Sequence, residues 1–188
     1  VYELYQDSII ALYLPENSTL EPAISTAPTT YTRTDGLLYD EQGNLWVMNM
    51  GGGDVKNINI LTPDRKWHAY NLYNGRTRIE MHTAGDILMD QRNSSWKWIP
   101  LLRYNTGLIL LQDNGTPTIS HDDKVSYRTS WIDQNQKQVL PGTIHTIAQD
   151  GYHTLWIGTS SGIVVIPAAY DFTSSNRCIR VVIPRNDG

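Results

Sequence analysis

Thr143–Ile166 reads TIHTIAQDGYHTLWIGTSSGIVVI, and the punctuation of this stretch decides the fold. Ile144 and Ile147 lead into Asp150-Gly151. Leu155-Trp156-Ile157 is a second apolar run, Gly158 and Ser160-Ser161-Gly162 break it, and Ile163–Ile166 is a third. Short apolar runs rich in β-branched and aromatic residues, separated by Gly, Asp and Ser, predict antiparallel strands joined by tight turns.

The stretch recurs in two worn copies. Asp40, Asp90 and Asp150 each stand six residues before Trp46, Trp96 and Trp156, and the copies are spaced by 50 and then 60 residues. Each copy has an apolar triplet before the Asp and a turn with an apolar run after the Trp strand. Self-similarity at this period, with three to four short strands per unit, predicts an all-β chain: a partial β-propeller of about three four-stranded blades plus part of another. A blade is a small twisted sheet that cannot bury both faces alone. A flat side chain at an equivalent strand position fills the gap between blades, and an Asp before a tight turn accepts hydrogen bonds from the turn's backbone N–H groups. Asp40, Trp46, Asp90, Trp96, Asp150 and Trp156 are therefore expected to be structural.

Working outward, Val1–Leu14 holds two Tyr-rich apolar runs around Gln6-Asp7-Ser8, a strand pair from an incomplete module. Pro15–Thr34 carries Pro15, Pro22 and Pro28 among Ser and Thr and reads as a connector. Residues 1–34 thus form incomplete blade strands with their connector, and blades are expected over 35–84, 85–142 and 143–188. In the first, Leu45–Met48, Asn57–Leu61 and Trp67–Tyr70 are strands and Gly51-Gly52-Gly53 is a mobile loop. In the second, Trp96–Ile99 and Leu108–Leu111 are strands, Asp113-Asn114-Gly115 is a tight turn, and 116–142 is a polar insertion. In the third, Cys178–Ile183 is either the fourth strand or a crossing to a further blade.

Composition narrows the function. Charged residues are 18 % and apolar residues 40 % of 188, which fits one domain with a substantial core and excludes a disordered chain. Eleven Tyr and six Trp stand against one Phe, a set suited to half-exposed sheet faces, where packing accounts for most of them. The formal net charge is −4 and no Lys/Arg run exceeds two residues, so nucleic-acid binding is disfavoured. Cys178 alone excludes an internal disulfide and a Cys-based zinc site. No apolar run is long enough to span a bilayer as a helix. The chain lacks an initiator Met and a signal peptide and reads as a piece of a longer protein.

Asp40–Val47 (DEQGNLWV) and Asp150–Thr159 (DGYHTLWIGT), followed by Gly162-Ile163, resemble the two-component regulator propeller repeat of Bacteroidetes proteins. Only the third copy carries the Gly-Thr; the first has Met48-Asn49 and the second Ile99-Pro100, with Asn93 at the turn glycine. Gly85–Asp90, Trp96–Pro100, Gly107–Thr116, Asp122-Asp123 and Cys178–Gly188 further resemble the PorZ-type propellers of type IX secretion. That resemblance implies an extracytoplasmic, envelope-associated scaffold with no catalytic role, helping a surface system attach cargo to an anionic lipopolysaccharide. It supplies no ligand residues. Asp7-Ser8-Ile9 is similar to the O-glycosylation acceptor of that phylum.

His121-Asp122-Asp123 is the densest ligand cluster, but no further spaced ligands accompany it, so no metal is expected. No base accompanies Cys178, and Gly51-Gly52-Gly53 does not precede a helix, so neither a nucleophile nor a phosphate loop is expected. His145 and His153 flank Asp150, and His145 reads as a strand residue. Arg76 and Arg78 fall short of the Arg cluster of a sialidase. The leading expectation is a non-catalytic, cofactor-free scaffold at the periplasm or cell surface. Its partners would be other blades or domains of the same protein, secretion-system proteins, or lipopolysaccharide. A periplasmic glycan-sensing propeller of a hybrid two-component receptor is the alternative, and a propeller glycosidase the third. Three blades fall short of the roughly 4–8 that close a ring, so exposed blade faces and self-association are expected. Tyr73, Tyr104 and Tyr152, beside turns, are the first ligand-facing candidates.

Overall fold

Every regular element among the described residues is a strand. The computed structural model describes residues 1–24, 31–51, 55–168 and 170–182. Gly52 and Gly53 of the expected mobile loop, Pro28, and the closing residues from Ile183 onward lie outside them.

β1 (Tyr2–Tyr5) and β2 (Ser8–Leu12) form a hairpin turned over Gln6 and Asp7, both at positive φ. The first four-stranded antiparallel sheet joins β3 (Arg33–Tyr39), β4 (Leu45–Met50), β5 (Ile58–Leu61) and β6 (Trp67–Tyr70) in sequence order. A two-stranded link, β7 (Tyr73–Asn74) and β8 (Thr77–Arg78), follows. The second sheet joins β9 (Leu88–Asp90), β10 (Asn93–Leu101), β11 (Gly107–Gln112) and β12 (Lys124–Arg128). A second small hairpin pairs β13 (Trp131–Ile132) with β14 (Gln138–Val139). The third sheet joins β15 (Ile144–Gln149), β16 (Leu155–Thr159), β17 (Gly162–Ile166) and β18 (Ile179–Val181).

The stretch 116–142 differs from its expectation as a polar insertion. It contains β12, the fourth strand of the second sheet, and the β13–β14 hairpin. β12 reads KVSYR, with only two bulky apolar side chains, because an outermost strand has less core to face. The choice left open for Cys178–Ile183 resolves as well: β18 pairs with β17 and completes the third sheet.

Sheets stack face to face, as propeller blades do. Residues paired across antiparallel strands share a face, so Leu38, Trp46 and Ile60 point the same way in the first sheet. With Met48, Met50 and Ile58 they pack against Ile87, Ile99, Ile109 and Leu111 of the second. The other face of the first sheet, Leu45, Val47 and Leu61, is covered by Tyr13, Leu20 and Ala11 from the N-terminal segment. This explains why β4 (LWVMNM) is buried along its whole length instead of alternating. The second sheet turns Trp98, Leu108 and Leu110 toward Ile144, Leu155, Ile157, Val164 and Ile166 of the third. Inner strands converge closely: a Cβ on Gly36 would lie 2.4 Å from the Gly85 carbonyl oxygen, so β3 and the entry to β9 meet backbone to backbone.

Candidate functional site

Two of the three repeat turns share one geometry. Asp40 N donates to Asn44 O, Gly43 N donates to Asp40 O, and Asp40 Oδ1 accepts from the N–H groups of Gln42 (3.0 Å) and Asn44 (2.9 Å). Asp150 repeats this with Thr154, His153 and Tyr152. The fourth residue of each turn is left-handed, Gly43 at φ 81° and His153 at φ 61°. The second carboxylate oxygen takes an indole N–H: Trp46 Nε1 at 2.9 Å from Asp40, Trp156 Nε1 at 2.8 Å from Asp150. The Asp thus ties the turn to the strand that follows it.

A further copy of this turn escaped the sequence reading. Asp133 N donates to Lys137 O, Gln136 is left-handed at φ 61°, and Asp133 Oδ1 accepts from Asn135 and Lys137 N–H, both at 2.8 Å. It closes the β13–β14 hairpin. The apolar residues Trp131, Ile132 and Val139 flanking Asp133 were the available signal.

In the second sheet the indole bonded to Asp90 is Trp98, at 2.9 Å, and not Trp96. Asn93 pairs with Asp90, Lys97 pairs with Met89, and the register shifts between them. Two residues are therefore added between the turn and the strand. A bulge of this kind re-aims side chains. Lys97 takes the place of Leu45, Trp98 that of Trp46, and Trp96 is released from the repeat.

Asp90 is the junction of the second and third sheets. Its side chain has no exposed surface. Arg92 Nε and Nη2 bind its two oxygens at 3.1 Å each, and Gln149 Nε2 of β15 reaches Oδ2 at 3.0 Å. Burial raises its pKa, but hydrogen bonds from Arg92, Trp98 and Gln149 outweigh that and hold it below the usual carboxylate range.

Beside this junction lies a cavity of about 240 Å³ between the two sheets. Its apolar floor is Trp98, Leu110, Leu155, Ile166 and Phe172, with Phe172 edge-on to Trp98 at 5.0 Å between centroids. Trp96, Arg92, His153, Tyr170 and Asp171 also line it, with Pro167 and Ala168. Arg92 lies over the Trp96 ring at 5.6 Å. The β17–β18 connection roofs the cavity and is strapped to the second sheet by two arginines. Arg92 Nη1 donates to Ala168 O at 3.3 Å, and Arg128 Nη2 to Thr173 O at 2.9 Å. Asp171 accepts from Thr173 and Ser174 within its own turn, bonds that lower its pKa. The carboxylate lining this cavity, Asp171, and the neighbouring Asp90 are thus both held in the ionised form by hydrogen bonds.

The remaining sequence candidates fall elsewhere. Tyr73, Tyr104 and Tyr152 are exposed and none lines this cavity. Asp113 is buried in an ion pair with Lys97, whose ammonium lies 4.6 Å from the Trp46 ring centroid. Asp122 Oδ2 accepts from Thr116 Oγ1 at 2.8 Å, whereas Asp122 Oδ1 and both Asp123 oxygens are buried without partners. Burial, with Asp113 and Asp122 nearby, pushes Asp123 up to about 7. Among the described residues no group of three or more His, Cys, Asp or Glu is placed to hold a metal. Cys178 is buried and its thiol is pushed up to about 11, chiefly by burial. Arg78 donates to the Val55 carbonyl.

Residues 138–161, which include the Asp150 turn and Trp156, match the family "Two component regulator propeller". No curated protein matches the chain. Among solved structures, PorZ of Porphyromonas gingivalis superposes with a TM-score of 0.77 at 24 % identity, over 96 % of this chain. PorZ is described as an essential bacterial surface component of the type-IX secretion system. The chain spans 24 % of PorZ's length. The three sheets are blades of a propeller like the corresponding part of that protein.

Proposed function

We propose that this chain is part of a non-catalytic, envelope-associated propeller scaffold, a PorZ-like accessory of type IX secretion that binds protein partners or an anionic lipopolysaccharide. The carrying observation is the similarity to PorZ over nearly the whole chain. In this reading the blades run over 35–84, 85–142 and 143–188. Asp40, Trp46, Asp90, Asp150 and Trp156 hold them together, with Trp98 standing where Trp96 was expected. The non-catalytic part is supported by the inter-blade cavity. Asp171, the carboxylate that lines it, and Asp90 beside it are both held ionised by hydrogen bonds, whereas a general acid in that cavity at neutral pH needs a carboxyl shifted the other way. Affinity capture with the full-length protein tests the reading. Envelope extract from the bacterium that makes it should yield secretion-system proteins or anionic lipopolysaccharide. Capture of neither, with cleavage of an aryl-glycoside panel instead, would contradict it.

A second reading rests on the match of residues 138–161 to the two-component regulator repeat. There the propeller would sense a glycan in the periplasm for a hybrid receptor. A kinase core in the same polypeptide would favour it.

A further inference from the structure

We infer that the cavity between the second and third blades is a subsite for one neutral pyranose residue of a glycan. The inference rests on the non-catalytic binding reading above and names the ligand class of the cavity.

Three features of the cavity select the ligand. The first is size: 240 Å³ lies below the roughly 300–1,000 Å³ of pockets for drug-sized ligands, so one ring fits and an oligosaccharide does not. The second is charge. Arg92 is neutralised by Asp90 in a two-pronged pair, and Asp171 already accepts from Thr173 N–H, Thr173 Oγ1 and Ser174 Oγ in its own turn. A charged ligand would meet no unpaired counter-charge, and burying it there would be unfavourable. The third is the mixture of flat apolar surface with idle polar groups. Trp96 and Tyr170 line the cavity, and neither the indole N–H of Trp96 nor the Tyr170 hydroxyl has a hydrogen-bond partner among the described residues. An aliphatic ligand would leave these groups stranded. A pyranose offers an apolar C–H face to an aromatic ring and hydroxyls around its edge.

The local register explains why the site is in this blade. The two added residues of β10 give the Asp90 bond to Trp98 and leave Trp96 at the cavity wall, with Arg92 over its ring and its N–H outside the repeat's bond to Asp. In the first blade the equivalent tryptophan, Trp46, is bound to Asp40 and wholly buried, and the residue two places before it on the chain is Asn44, not a second indole.

The test titrates the full-length protein with the methyl glycosides of glucose, galactose, mannose and N-acetylglucosamine. Saturation-transfer NMR and tryptophan fluorescence are read, with N-acetyl-tyrosine amide as a flat non-sugar control. At least one glycoside should saturate in the range of about 1 mM or tighter. Trp96→Ala should weaken it about tenfold or more, Tyr170→Phe by a smaller factor, and Tyr152→Ala not at all. Thermal melting of each variant reports folding. If Trp96→Ala does not fold, Tyr170→Phe carries the same comparison. The inference is overturned if no glycoside saturates, if only the tyrosine amide does, or if the folded Trp96 or Tyr170 variant binds as wild type does. Failure here leaves the envelope-capture result untouched, whereas failure of capture with sugar binding intact contradicts the secretion reading alone.

Discussion

Trp98 Nε1 lies 2.9 Å from Asp90 Oδ2, on a carboxylate that Arg92 and Gln149 also bind. One buried anion thereby serves its own turn, the strand that follows it and the neighbouring blade. Trp98→Phe removes one of three donors to Asp90 Oδ2 together with packing in the core between the blades, and should cost about 1–3 kcal/mol. Trp96→Phe should stay within about 0.5 kcal/mol, because no hydrogen bond is lost. Urea unfolding of the two variants checks the order.

The three equivalent indoles differ in cover. Trp46 is 0 % exposed under the second blade and Trp98 3 % under the third, whereas Trp156 is 41 % exposed. Ile163 and Ile179 are exposed on that same face. Asp40→Ala should therefore destabilise by about 1–3 kcal/mol, since the buried Trp46 N–H loses its acceptor. Asp150→Ala should have a clearly smaller effect, because the Trp156 N–H can turn to water. Equal effects in paired denaturation curves would contradict the equivalence of the turns with unequal cover.

Lys97 and Asp113 form an ion pair with almost no exposed surface, and the Lys97 ammonium lies on the Trp46 ring. Lys97→Met leaves Asp113 charged and buried, which should cost about 3–5 kcal/mol. The double change Lys97→Met with Asp113→Leu should recover most of that loss. A double-mutant cycle measures both.

Two kinds of carboxylate give opposite pH dependence. Asp123, with its buried oxygens unpartnered and its carboxyl pushed up to about 7, holds a proton in the folded state that the unfolded chain has already lost. Stability therefore falls as pH rises from the ordinary Asp range toward 7. Asp90 is held below that range, so its contribution is present at neutral pH and is lost only as pH falls through its folded value. Asp123→Asn should flatten the first slope and stabilise the protein at pH 8 by on the order of 1 kcal/mol. Melting temperature against pH, with and without the substitution, reads the result.

The blade pattern was legible because two blades place Asp, left-handed turn residue and Trp at fixed offsets, as Asp40–Gly43–Trp46 and Asp150–His153–Trp156 do. The second blade keeps the bond but not the offset. Spacing alone picked Trp96 because a bulge adds residues without changing composition, and only strand pairing reveals it. Asp133 was missed for a related reason: its hairpin strands are two residues long, too short for periodicity to show. The cavity was illegible because its lining comes from β10 and the turn before it, β11, the Asp150 turn, β16, β17 and the loop after it, and only the stacking of blades brings these together.

The most direct test of the central claim, a PorZ-like scaffold role, is the amount of type IX cargo attached to the cell surface. It is measured in a strain lacking the gene for the full-length protein, against the parent and a complemented strain. The account predicts that cargo leaves the surface in the deletion strain and returns on complementation. Surface cargo unchanged by the deletion would contradict it.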